Sequence, residues 1–191
     1  MSLAQHFPAD NAALLVVDVQ EKLLPATGLP GKRVVANVHR LISAARLLEI
    51  PVLATEQYPK GLGPTVASLA DAIPVRHAKT TFQAADAAGL ISADSASSIR
   101  HVTLVGLETH VCILQTALEL LRRGFRVQVV ADAIASRDQF DHDSALSRLQ
   151  SSGAILTTTE AVMFEWIGSS DHPAFKAISA LVKNPKSSSV D

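Results

Sequence analysis

The 191-residue chain is predicted to fold as a single α/β domain, a doubly wound, Rossmann-like three-layer sandwich. Its six-stranded parallel sheet is expected in the order 3-2-1-4-5-6. Three observations lead there. Residues 12–19, AALLVVDV, are apolar without polar alternation, as a strand buried on both faces of a parallel sheet must be. Five further short apolar runs alternate with helical stretches, and parallel strands need such crossovers. There is no internal repeat and no linker, and this length suits one hydrophobic core. Residues 1–183 are read as that domain, with 184–191 (NPKSSSVD) as a disordered tail lacking any apolar anchor.

The first strand, 12–19, closes on Asp18. Ligands of open α/β sheets bind at strand carboxyl ends. An Asp in a polar loop is ordinarily a cap, but this one follows an apolar run and should be buried, so it needs a partner. Residues 31–49 form an amphipathic helix, with Val34, Val35, Val38, Leu41, Ile42, Ala45 and Leu48 on one face. Residues 51–55 give the second strand, followed by the Gly/Pro-punctuated loop TEQYPKGLGPTV and a short helix near 66–72. A weak third strand, 73–78, ends at Lys79, and a small helix is expected at about 86–93. Residues 102–105 form the fourth strand and stop at Gly106. Cys112 then falls in the first turn of a helix whose apolar positions run from Ile113 to Leu121, stopped by Arg122, Arg123 and Gly124. Residues 126–131 are the fifth strand, 139–151 a helix, 154–157 the last strand, and 160–167 and 174–182 the closing helices.

Composition narrows the function. A hydrophobic fraction of 48%, 18% charged residues and a net charge of −1 leave no electrostatic footprint for nucleic acid or an anionic membrane. One cysteine forbids an internal disulfide and suggests a reducing, cytoplasmic setting. Residues 1–11 show no secretory pattern, and no apolar run approaches the ~20 residues that span a bilayer. The dinucleotide, P-loop and nucleophile-elbow motifs are missing. Seven scattered histidines make no metal spacing, so neither metal nor cofactor is expected.

Three chemically distinct residues, Asp18, Lys79 and Cys112, each follow a strand. With strands one and four adjacent, Asp18 and Cys112 face one crevice. A lone cysteine is most often a small buried hydrophobe. At a helix start, however, unpaired N–H groups and the helix dipole favour its anion, and Lys79 nearby would add to that.

Taken together, LLVVDVQEKLLP (14–25), the Lys of AKTTF (78–82) and VGLETHVCILQTALELLRRGFRVQVVADAIASR (105–137) resemble the isochorismatase-like superfamily of cysteine hydrolases. TEQYPKGLGPTV and TTTEAVMFEWIG resemble its metal-free subgroup, the isochorismatase domain-containing proteins. The similarity runs over about residues 12–183. It implies that Asp18, Lys79 and Cys112 are catalytic and that the Leu107–Glu108 peptide is cis. The nicotinamidase branch carries an Asp-x-His metal motif where this chain has Thr55-Glu56-Gln57. True isochorismatases cleave a vinyl ether and lack the cysteine, so Cys112 places this chain on the amide-cleaving side.

The expected function is therefore metal-independent cleavage of a C–N bond in a small molecule. Cys112 would be the nucleophile, Asp18 the base, Lys79 the electrostatic partner, and the backbone N–H groups of Glu108 and Cys112 the oxyanion donors. Gln20, Tyr58 and Phe82 lie just past strand ends and are expected as pocket walls. Two other readings compete: a non-catalytic binding or scaffold member of the fold, and a peroxide-sensitive thiol without a resolving partner. A homo-oligomer is expected because Val162, Met163, Phe164, Trp166 and Ile167 crowd one closing helix and should leave some apolar surface exposed.

Overall fold

A computed structural model describes residues 6–91 and 98–183. The proposed tail, 184–191, and the end of the proposed 86–93 helix lie outside the described residues. The sheet has six parallel strands, β1 (Ala12–Val17), β2 (Val52–Gln57), β3 (His77–Lys79), β4 (His101–Leu107), β5 (Arg126–Ala135) and β6 (Ile155–Thr157). Their order is β3-β2-β1-β4-β5-β6, as the alternation predicts.

β1 shows why the run 12–17 carries no polar residue. Leu14 and Val16 pack under helix α1 (Leu29–Leu47), while Leu15 and Val17 pack toward α4 (Leu114–Arg122) on the other face. All six residues of β1 are buried, and each fully buried Leu or Val contributes about 1.5–3 kcal/mol. The first layer contains α1, α6 (Thr159–Ile167) and α7 (Phe175–Lys183), and the second contains α4 and α5 (Gln139–Ser151). Two one-turn helices, α2 (Pro59–Leu62) and α3 (Ala67–Ala70), interrupt the long loop after β2.

Several boundaries move. β3 begins four residues later than the periodicity suggests, because Ile73 belongs to the core under α1 rather than to the sheet. Residues 85–89 are turns, closed by Ala88 N–H to the Ala84 carbonyl and Gly89 N–H to the Asp86 carbonyl. β5 continues past Asp132 to Ala135, with its register against β4 shifting between Leu104 and Gly106. Asp132 sits in that irregular stretch and caps α6, accepting from the N–H and hydroxyl of Thr159. The expectation that α6 leaves large apolar residues exposed fails. Val162, Met163, Trp166 and Ile167 are all buried, since α6 lies between α1, α7 and β5. Among the described residues no helix is long and apolar enough to cross a membrane.

The β1–β4 junction positions the site. Gly106 has φ +119°, and a Cβ there would run into the Val17 carbonyl oxygen. Only glycine permits this approach, which brings the ends of the two strands together just before Asp18 and Glu108.

Candidate active site

Asp18 leaves β1 in a left-handed conformation, φ +52°, which the short polar side chain of Asp tolerates better than most. Its backbone N–H donates to the Thr55 carbonyl, and its carboxylate is fully buried. Thr55 Oγ1 donates to Asp18 Oδ1 at 2.8 Å, and Lys79 Nζ donates to Oδ2 at 2.6 Å. The strand register explains both contacts. Thr55 pairs with Val17 across β1–β2, and Gln57 pairs with Lys79 across β2–β3.

Lys79 is buried although β3 is an edge strand. Beyond Asp18, its ammonium donates to Gln57 Oε1 at 2.6 Å, to the Thr81 and Phe82 carbonyls at 3.2 and 3.3 Å, and to Cys112 Sγ at 3.6 Å. The three residues that the sequence singles out thus converge in one buried cluster.

Cys112 does not sit on the first turn of an α-helix. It lies in a π-turn, Thr109–Ile113, that precedes α4, and the Leu107–Glu108 peptide before it is cis. The Glu108 carbonyl accepts from the N–H groups of Val111 and Ile113, and the Glu108 carboxylate accepts from the Arg137 backbone and guanidinium. His142 contacts Thr109 Oγ1 and His110 contacts Ser136 Oγ, each at 2.9 Å, so α5 and the end of β5 brace the turn. Thr116 Oγ1 donates to the Cys112 carbonyl and accepts from the Ala84 N–H, tying α4 to the loop that follows Lys79.

The thiol is not held as an anion. Burial, and then the charge of Asp18, push it from its ordinary 9.0 up to about 12, against the opposing pull of Lys79. A buried thiolate loses hydration that one ammonium, already paired with a carboxylate, does not replace.

The expected pocket walls divide. Tyr58 lines a cleft of about 590 Å³ with Lys60, Ala78, Lys79, Thr81 and Asp86. Phe82 contributes its carbonyl to Lys79, and the residue as a whole is 51% exposed. Gln20, expected as a wall, is instead a brace. Its buried amide donates to the Gln57 and Gly63 carbonyls and accepts from the Gln57 N–H. At the positions of the metal motif, the Thr55 hydroxyl and Gln57 amide are occupied by Asp18 and Lys79, while Glu56 pairs with Thr65 and Arg76. Among the described residues no three His, Cys, Asp or Glu side chains converge as a metal site would require. Thr55 and Gln57 are the site residues whose part the sequence did not disclose; their i, i+2 spacing at a strand end was the available signal.

The class of protein is thus an α/β, doubly wound, Rossmann-like domain, with an acid, an amine and a thiol enclosed at its central crevice. The isochorismatase domain model matches residues 12–161, and the chain belongs to that family. It is 44% identical over 175 residues to isochorismatase domain-containing protein 2 of Bos taurus, covering 92% of this chain and 84% of the relative. Among solved structures, one described as MAR1 ribonuclease from Caenorhabditis elegans is 39% identical with a TM-score of 0.85, covering 94% and 93% of the two chains. The YcaC gene product of Escherichia coli, described as an octameric hydrolase of unknown specificity, is 26% identical with a TM-score of 0.88, covering 97% and 93%. Family membership supports hydrolysis as the class of reaction.

Proposed function

We propose that the protein is a metal-independent cysteine hydrolase that cleaves the C–N bond of a small carboxamide-type substrate. One observation carries this reading: Lys79 Nζ bridges Asp18 Oδ2 at 2.6 Å and Cys112 Sγ at 3.6 Å inside one buried cluster. The resting thiol is protonated, so attack and proton transfer are coupled. Sγ forms a bond to the carbonyl carbon as its proton passes to Asp18, and Lys79 gains the developing thiolate character as a partner. The oxyanion falls to the backbone N–H groups of Glu108 and Cys112. As the C–N bond breaks, Asp18 returns the proton to the leaving nitrogen and an acyl thioester remains. Asp18 then takes a proton from water, whose oxygen attacks the thioester; the acid product leaves and the thiol is restored.

The ribonuclease description of the C. elegans structure favours a second reading, cleavage of an RNA phosphodiester. Its local support is weaker, because the Lys79 side chain is only 1% exposed and the whole chain carries a net charge of −1. One panel separates the readings: small primary amides assayed for ammonia and a labelled RNA assayed for fragments, with wild type, Cys112→Ser and a chelator arm. Ammonia release that survives chelation and is lost in Cys112→Ser is expected. RNA cleavage alone favours the second reading. Binding without turnover points to the non-catalytic alternative. We also infer a homo-oligomer, supported by the octameric YcaC relative and by Leu29 and Phe140, which are 82% and 80% exposed.

A further inference from the structure

We propose that Gln57 is a positioning residue for the hydrolysis: its amide fixes the Lys79 ammonium between Asp18 and Cys112 without adding a charge. The inference rests on the reading of Asp18, Lys79 and Cys112 given above. An ammonium has three protons. Two of those on Lys79 are committed at 2.6 Å, one to Asp18 Oδ2 and one to Gln57 Oε1. The third has only longer partners, the Thr81 and Phe82 carbonyls at 3.2 and 3.3 Å and Cys112 Sγ at 3.6 Å. Two short contacts thus set the direction of the free proton, and the sulfur is one of the groups it can reach.

The orientation of the Gln57 amide follows from its other end. Nε2 donates to the Thr80 carbonyl at 2.9 Å, leaving Oε1 as the acceptor for Lys79. The Gln57 backbone is clamped in turn by both polar atoms of the Gln20 amide. Charge counting shows why an amide serves here. With the thiol protonated, Asp18 and Lys79 sum to zero, and transfer of the thiol proton to Asp18 keeps the cluster neutral. A carboxylate at position 57 would leave the cluster at −1 throughout and compete with Asp18 for the ammonium. The negative end of a neutral dipole holds the ammonium without that penalty on the thiolate.

The test follows Cys112 directly and needs no substrate. Carboxamidomethylation by iodoacetamide is followed by intact mass from pH 7 to 10 for wild type, Gln57→Met, Gln57→Glu and Lys79→Met, with thermal melts to establish folding. Gln57→Glu is expected to displace the profile upward by about one pH unit, about tenfold slower labelling at fixed pH. Gln57→Met is expected to be slower at every pH, as is Lys79→Met. A folded Gln57 variant that labels at or above the wild-type rate, beside a slowed Lys79→Met, overturns the positioning role and leaves the reading of Lys79 intact. If Lys79→Met also labels like wild type, the failure lies in the proposed mechanism itself. Loss of the fold in both Gln57 variants assigns the residue to the core alone and overturns the inference too.

Discussion

At the scale of single residues, burial outweighs the ion pair. Cys112 sits 3.6 Å from an ammonium, yet its thiol is pushed up to about 12, so iodoacetamide labelling should climb through pH 10 with no plateau near 8.5. The same shift has a thermodynamic sign. The folded chain keeps the thiol proton to higher pH than the unfolded chain, so this group does not alter stability below about pH 9. Stability is then lost as pH rises from 9 toward 12, by at most about 1.4 kcal/mol per pH unit. Denaturant titrations of wild type and Cys112→Ala at pH 8 and 10.5 check this, and their difference should shift against wild type at the higher value. Asp18 and Lys79 form a buried charged pair, and removal of one partner strands the other. Lys79→Met should cost about 3–5 kcal/mol, read from the denaturant midpoint. Thr55→Val leaves Asp18 Oδ1 without its donor and should cost about 1–3 kcal/mol, whereas Thr55→Ser should recover most of that.

Elements differ in how openly the sequence announces them. β1 and β4 were legible because both faces are covered, so every residue from 12 to 17 had to be apolar. β3 was not, since three residues at a sheet edge need no apolar pattern and its first two are exposed. The π-turn around Cys112 has no side-chain signature of its own, so the stretch reads as an ordinary helix start. The positions of Asp18, Lys79 and Cys112 at strand ends were legible, whereas the contacts made by Thr55 and Gln57 depend on register across three strands, which no local pattern reports. α6 misled for a plainer reason. Its crowd of large residues looked excessive for one face, but three elements surround it, and Trp166→Ala should therefore destabilise the isolated chain by about 3–5 kcal/mol. The β1–β4 junction sets a sharper limit. Gly106→Ala must push the Val17 backbone away and should leave the protein largely insoluble or melting far below wild type. Gly153→Ala, which meets no neighbour and bears only the strain of its φ of +98°, should lower the melting point less and remain folded.

At the scale of the whole molecule, the two apolar layers are closed by the chain's own helices, so the support for assembly moves away from α6. Leu29 and Phe140 stand far out of the surface, and the inferred oligomer should scatter light as a multiple of 20.2 kDa, with Phe140→Asp lowering that mass. A monomer in wild type would refute it. One feature of the sheet bears on how the protein fails. Lys79, on which the chemistry is proposed to turn, is carried by a three-residue strand with a neighbour on one side only. Edges of this kind open in local fluctuations long before a core strand such as β1 does. In native-state hydrogen exchange, the amides of residues 77–79 should trade with solvent at a smaller opening energy than those of 13–17. Mild denaturant or heat should then inactivate the protein while its circular dichroism is still that of the folded state, because an ammonium that drifts from its place ends catalysis without disturbing the sheet behind it.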